Sequence, residues 1–95
     1  MPGRSLKSVH AVISGRVQGV WFRAWTEKEA IARGLDGWVR NRPDGTVEAV
    51  FSGADTEVDA MLDACRTGPR LANVEQVTVA PCAPPDAGFA IRATG

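Results

Sequence analysis

Apolar and polar residues alternate along four stretches of the chain, as they do in strands with one buried face. The first is residues 7–14, in which Val9, Ala11 and Ile13 are apolar and the positions beside them are mostly polar. The same alternation predicts further strands at Leu35–Asn41, Thr46–Ser52 and Val74–Ala80. Phe89–Arg92 can add a short last strand.

Two stretches between these strands predict helices. Residues 22–33 are rich in Ala and Glu, which favour helix, and Gly34 follows at a position typical of a helix end. The second helix follows Ala54 and ends near Gly68. Its apolar residues recur at i, i+3, i+4 and i+7, and they are Val58, Met61, Leu62 and Cys65. This stripe predicts a helix that faces the core.

The elements follow one another as strand, helix, strand, strand, helix and strand, with the short last strand at the end. This order predicts an α+β fold, a ferredoxin-like βαββαβ two-layer sandwich whose antiparallel sheet carries two helices on one face. The turn at residues 41–45 joins the middle strands as a hairpin. The outward positions that would share the open face of the sheet are His10, Trp38, Arg40 and Glu48.

Length and charge limit the class of protein and its partners. The chain of 95 residues fits one domain, residues 1–95, which we expect to be a monomer. Its 11 Lys and Arg balance its 11 Asp and Glu, so no overall basic charge favours nucleic acid or an anionic membrane surface. Binding of an anion must therefore be local.

The terminus and the cysteines indicate the compartment. Residues 1–8 contain no apolar segment of a secretion signal, and no stretch is long enough to span a membrane, so we expect a cytoplasmic protein. Cys65 and Cys82 lack the spacing of a metal or redox site. We expect both to be reduced thiols, and we expect no bound metal.

The stretch that joins the first strand to the first helix has the character of an anion site. Gly15 and Gly19 allow positive φ, so that successive backbone amides can point inward beside the start of the helix. Arg23 lies near the first helical turn, where its guanidinium can bind two phosphate oxygens. Glycines also mark ordinary turns, and an arginine on a helix is often a solvated charge, so the loop alone leaves both interpretations open. The candidate phosphate-binding residues are Gly15, Arg16, Val17, Gln18, Gly19, Val20, Trp21, Phe22 and Arg23.

Two separate segments resemble the signatures of the acylphosphatase family. Residues 15–23 are similar to the first signature, nearly letter for letter. The hairpin is similar to the second through Gly37-Trp38-Val39-Arg40-Asn41, Gly45-Thr46-Val47 and Gly53. The similarity runs from about Leu6 to Arg92. It implies hydrolysis of small-molecule acyl phosphates without a cofactor or metal, with Arg23 binding the phosphate and Asn41 positioning the attacking water.

The residue types suit this reaction. A carboxylate is a stable leaving group, so the site needs no strong general acid. Asn41 offers both an acceptor and a donor to one water, although its residue type also suits a cap on the hairpin turn. The nearest acidic residues are Asp36, Asp44 and Glu48, and a carboxylate beside a bound phosphate would repel it. We therefore expect a phosphate oxygen of the substrate to take the proton of the water.

Two other functions fit parts of the pattern. A non-catalytic module that binds acyl or carbamoyl phosphate would contain the same loop, and domains that resemble this one also occur within hydrogenase maturation factors. RNA-recognition motifs share the βαββαβ order, but they require aromatic and basic residues on central strands, which the first and third strands lack. Turnover of a simple acyl phosphate separates the enzyme from the binding module, and a salt-sensitive gel shift would indicate RNA binding.

Overall fold

The chain forms five strands and two helices over residues 5–95, which the computed structural model describes. In chain order they are β1 (Leu6–Arg16), α1 (Phe22–Ala32), β2 (Asp36–Asn41), β3 (Val47–Ala54), α2 (Asp55–Thr67), β4 (Asn73–Pro81) and β5 (Phe89–Ile91). Each of these elements was predicted from the sequence, α1 from helix propensity and the glycine that follows it and the others from the hydrophobic pattern. In this part of the chain, no helix is both long enough and apolar enough to cross a membrane.

The strands form one sheet in the order β4-β1-β3-β2-β5. β1 pairs antiparallel with both β3 and β4, and β2 pairs antiparallel with β3. β5 instead runs parallel to β2, with Gly37 opposite Phe89 and Val39 opposite Ile91. The prediction of an antiparallel sheet is therefore wrong for β5, and the sheet is mixed. After β4 the chain crosses to the opposite edge of the sheet, where β5 lies beside β2 and runs in the same direction.

The core lies between the sheet and the helices. Both helices and the inner sheet face contribute to one cluster of buried apolar side chains, so α1 and α2 cover the same face. The inner positions of β1 and β3 are Val9, Ala11, Ile13, Val47, Ala49 and Phe51. The predicted stripe of α2 is confirmed, since Val58, Met61, Leu62 and Cys65 are all buried. The architecture is the predicted ferredoxin-like α+β fold.

Helix α1 buries a stripe that hydrophobicity alone does not indicate. Its buried residues, Phe22, Thr26 and Ala30, are spaced four apart. The Thr26 hydroxyl donates a hydrogen bond to the Phe22 carbonyl oxygen at 2.8 Å, which satisfies its polar group inside the core. The more apolar Ile31 is 58% exposed. The helix is followed by Gly34 at a φ of 70°, as predicted for its C-terminal end.

The open face of the sheet carries a charged cluster. Glu48 accepts hydrogen bonds from His10 Nε2 at 2.6 Å and from Arg40 Nε at 2.7 Å. The guanidinium groups of Arg40 and Arg92 lie 5.2 Å and 4.7 Å from the centre of the Trp38 ring, within the range of cation–π attraction. The predicted grouping of His10, Trp38, Arg40 and Glu48 on one face is confirmed, and His10 has a structural partner there.

The pKa of Glu48 reflects this cluster. Partial burial raises the pKa of the carboxyl, but the hydrogen bonds from His10 and Arg40 and their positive charge outweigh burial, and the pKa lies below its ordinary value. A carboxyl whose pKa is lower in the folded than in the unfolded chain stabilises the fold above its unfolded pKa. This contribution is lost as the pH falls from the ordinary value of 4.5 through the lowered one.

Replacing Glu48 with Gln is expected to lower the free energy of unfolding at neutral pH by about 1–2 kcal/mol, because the charge-assisted hydrogen bonds become weaker. Urea unfolding of the wild-type protein and of Glu48→Gln should show a difference that narrows as the pH is lowered through the acid range. Glu75→Gln, on the exposed face of the edge strand β4, is the matched control and should change little. A difference that did not depend on pH would contradict the assigned role.

Candidate functional site

Two glycines shape the loop of residues 17–21 that joins β1 to α1. Gly15 lies at a shift in the pairing of β1 with β4, with a φ of 116°, and a Cβ atom there would collide with the Asn73 carbonyl oxygen. Gly19 has a φ of 72°. Positive φ at both positions is what the sequence predicted. Val17 and Val20 are buried, so the loop is fixed to the core on one side.

The N-terminal end of α1 has unpaired backbone amides. The first helical hydrogen bond is donated by the Trp25 amide to the Trp21 carbonyl oxygen, at 3.0 Å. The amides of the three residues between them therefore have no intrahelical partner. The helix has no side-chain cap and no acidic residue in its first turn. This end of α1 thus presents free donors and the positive end of the helix dipole.

A hollow of about 460 Å³ lies against this helix end. Its lining residues are Val17, Gly19, Trp21, Phe22, Arg23, Ala24, Asn41 and Ile91. They come from the 17–21 loop, the first turn of α1 and the ends of β2 and β5. The hollow therefore brings Arg23 and Asn41, which are far apart in sequence, to one site.

The nine candidate phosphate-binding residues divide into two groups in the structure. The five that line the hollow are Val17, Gly19, Trp21, Phe22 and Arg23. The four that do not are Gly15, Arg16, Gln18 and Val20. Arg16 is the exposed last residue of β1 and pairs with Asn73 of β4. Their contribution to phosphate binding stays a prediction.

Arg23 supplies the charge of the hollow. It is the one charged residue among those that line it. Within residues 5–95, its guanidinium takes part in no salt bridge, whereas Arg33, Arg40 and Arg42 each face a carboxylate. The side chain is half-buried. An arginine without a carboxylate partner beside free backbone amides favours an anionic ligand.

Asn41 ends β2, and its backbone pairs with Val47. Its side-chain amide forms no hydrogen bond with the described residues. The cap of the hairpin turn is Asp44, which accepts hydrogen bonds from the Thr46 amide at 3.0 Å and from the Thr46 hydroxyl at 2.6 Å. These hydrogen bonds hold the pKa of the Asp44 carboxyl below its usual value. The turn-cap hypothesis for Asn41 is therefore wrong.

Gln18 joins the loop to the hairpin. Its side-chain amide nitrogen donates to the carbonyl oxygens of Arg42 and Thr46, both at 2.8 Å. Both acceptors belong to the turn that begins directly after Asn41. The side chain therefore couples the position of the loop to the position of Asn41. This role of Gln18 was not predicted, because no local pattern indicates where a glutamine side chain finds its partners.

The acidic residues that lie nearest to the two motifs in sequence form hydrogen bonds outside the hollow. Asp36 accepts a hydrogen bond from the Gly88 amide at 2.8 Å, and Asp44 and Glu48 have the partners described above. None of the three lines the hollow. Burial raises the pKa of the Cys65 thiol to about 12, so Cys65 is not a nucleophile. Within residues 5–95, no three His, Cys, Asp or Glu side chains come together as metal ligands.

Comparison with known proteins identifies similar chains. Residues 9–91 match the family model described as acylphosphatase. An acylphosphatase from Rhodospirillum rubrum is 56% identical over 81 residues, which cover 85% of this chain and 89% of that protein. One from Azorhizobium caulinodans is 54% identical over 89 residues, covering 92% and 96%. A solved structure of an acylphosphatase from Coxiella burnetii has a TM-score of 0.89 at 32% identity, covering 97% of this chain and 100% of that one.

Replacing Gln18 with Met keeps the length of the side chain and removes both hydrogen bonds to the hairpin. We expect the free energy of unfolding to fall by about 1–2 kcal/mol, because two hydrogen bonds are lost while the Arg42 and Thr46 carbonyl oxygens keep the backbone amides of Gly45 and Arg42 as partners. Hydrogen exchange should also be faster at the amides of Arg42 and Thr46.

The matched control is Gln76→Met, since Gln76 is the other glutamine of the chain and its side chain is exposed on β4. Equal stability losses in the two variants would contradict the role assigned to Gln18.

Proposed function

Since this chain belongs to the acylphosphatase family and hydrolyses acyl phosphates to a carboxylate and inorganic phosphate, we propose that Arg23 and backbone amides hold the phosphoryl group while Asn41 positions the attacking water. The amides belong to residues 15–20 and to the first turn of α1. The observation that carries the proposal is the hollow that contains both Arg23 and Asn41. The substrate is a small molecule.

Arg23 neutralises the oxygens of the transferring group. Its planar guanidinium can donate two parallel hydrogen bonds to a phosphoryl group, and the free amides at the start of α1 can donate to the remaining oxygens. In a loose transition state the charge is spread over these oxygens, so donors that are already in place stabilise it without reorganising. The lack of a carboxylate partner for Arg23 among the described residues supports this assignment.

Asn41 orients the water opposite the leaving group. Its carboxamide has an oxygen that accepts from the water and an NH₂ group that donates, so one side chain can fix both position and direction. Proximity and alignment of this kind lower the entropic part of the barrier. The role of Asp44 as the turn cap supports the proposal, because it leaves the Asn41 amide available.

The hydrolysis requires one bond to form, one bond to break and one proton to move. The water oxygen forms a bond to phosphorus, and the bond from phosphorus to the acyl oxygen breaks. The leaving carboxylate keeps that electron pair and needs no proton at neutral pH. A phosphoryl oxygen takes a proton of the water, so the products are a carboxylate and dihydrogen phosphate. The positions of Asp36, Asp44 and Glu48 outside the hollow are consistent with a reaction that uses no protein carboxylate.

We also infer that the protein works as one domain, as a monomer, in the cytoplasm and without nucleic acid. The balanced charge supports the last point. Cys65 and Cys82 are free thiols, as is usual in a reducing compartment. Size-exclusion chromatography with light scattering tests the monomer. No observation favours a binding module that lacks catalysis.

We expect Asn41→Ala to lower kcat for benzoyl phosphate by about 10²–10³-fold, because a preorganised polar group is lost. Inhibition by inorganic phosphate should change little, since Arg23 and the amides remain. Arg23→Ala should lose both turnover and inhibition by phosphate. The decrease in absorbance of benzoyl phosphate measures the rate, and EDTA should leave the wild-type rate unchanged.

Two matched controls are available on the surface of the protein. Asn73→Ala removes the other asparagine, which is exposed on β4, and Arg70→Ala removes an exposed arginine outside the hollow. Neither should affect the reaction. Equal loss of phosphate inhibition in Asn41→Ala and Arg23→Ala would contradict the division of roles, and loss of activity in EDTA would contradict a metal-independent reaction.

A further inference from the structure

Trp21 presents a large apolar side chain at the hollow. It is 78% exposed, although tryptophan side chains are mostly buried in folded proteins. Ile91, at 41% exposed, is a second large apolar residue that lines the same hollow. Exposed apolar surface concentrated in a concave site indicates a ligand with an apolar part.

The backbone of Trp21 is strained. Its φ of 66° and ψ of 20° are those of the left-handed region, which bulky residues avoid and which Gly and Asn accept more readily. Among the described residues, Trp21 is the one residue other than glycine with a positive φ. Strain of this kind clusters at active sites and at segments that hold ligands. The exposed indole gains little from packing to offset it.

The hollow is divided between polar and apolar chemistry. Arg23, Asn41 and the amides at the start of α1 supply its polar groups. The side chains of Trp21, Ala24 and Ile91 form an apolar part of its wall. When the phosphoryl group is held by the polar groups, the attached acyl group must lie along the remaining wall. A volume of about 460 Å³ is within the range of sites that hold a complete small ligand.

We propose that Trp21 is a specificity-determining residue whose indole stacks on the acyl group of the substrate. The enzyme then favours acyl phosphates with an aromatic or bulky apolar acyl group over those with a small one such as acetyl. This inference rests on the proposed function, because it takes the phosphoryl position from Arg23 and Asn41.

The stacking contact acts mainly on binding. The acyl group has nearly the same shape in the bound substrate and in the transition state, so the indole stabilises both. Loss of such a contact raises KM and leaves kcat nearly unchanged. A displaced loop would instead lower kcat for every substrate and weaken inhibition by inorganic phosphate. The two causes are therefore separable by kinetics.

The test compares kcat and KM for benzoyl phosphate and acetyl phosphate in the wild-type protein, Trp21→Gly and Trp21→Phe. Trp21→Gly should raise KM for benzoyl phosphate about three- to tenfold, the range of one aromatic stacking contact. KM for acetyl phosphate and inhibition by inorganic phosphate should change much less than KM for benzoyl phosphate, so that the ratio of the two KM values rises. Trp21→Phe should restore most of the preference. Leu71→Ala, which removes an exposed apolar side chain outside the hollow, should have no effect.

Thermal unfolding completes the test. Trp21→Gly relieves the backbone strain, so its Tm should equal or exceed that of the wild-type protein. If Trp21→Gly does not fold, Trp21→Asn, which also accepts the left-handed conformation, takes its place. An unchanged ratio of the two KM values, or an equal loss with both substrates, would overturn the role of Trp21. Absence of turnover by the wild-type protein with either substrate would instead overturn the proposed function.

Discussion

The site depends on one side chain that joins two distant parts of the chain. Arg23 follows a loop after β1, and Asn41 ends β2, so nothing in the local sequence determines the separation between them. The Gln18 amide donates to two carbonyl groups of the hairpin turn, both at 2.8 Å, and thereby couples the two parts. Two short hydrogen bonds from one planar group restrain both distance and direction. Catalysis by alignment requires this kind of restraint, because small displacements of the reacting groups greatly reduce the rate.

The distribution of charge explains how a chain of zero net charge binds an anion. Most of the arginines near the hairpin have carboxylate partners, as Arg40 has in Glu48 and Arg42 in Asp44. Arg23 has none among the described residues, and the start of α1 adds unpaired donors to the same hollow. The hollow therefore has a local positive charge with no carboxylate among its lining residues, and a local charge of this kind favours an anionic ligand without requiring a basic protein.

The hydrophobic pattern predicted the strands and α2, because the alternation along a strand and the apolar stripe of a helix are direct consequences of burial. Helix α1 was predicted instead from residue propensity and from the glycine that follows it. The hydrophobic pattern did not indicate that Thr26 of α1 is buried with its own hydrogen-bond partner. The prediction of an antiparallel sheet was wrong for β5, which runs parallel to β2. The resemblance of two motifs predicted that Arg23 and Asn41 belong to one site, and the hollow contains both. The contacts of Gln18 could not be predicted, since they join residues that only the complete fold brings together.

The central position of β1 has a consequence for the order of folding. β1 lies between β3 and β4, and Gly15 faces Val74 of β4 across the shift in pairing. The first residue of the segment that leads into the loop is therefore held against a strand that comes much later in the chain. Pairing over such separations requires closure of a long loop and is slow compared with helix formation. We therefore expect the hollow to take its final shape late in folding, after β4 has paired with β1.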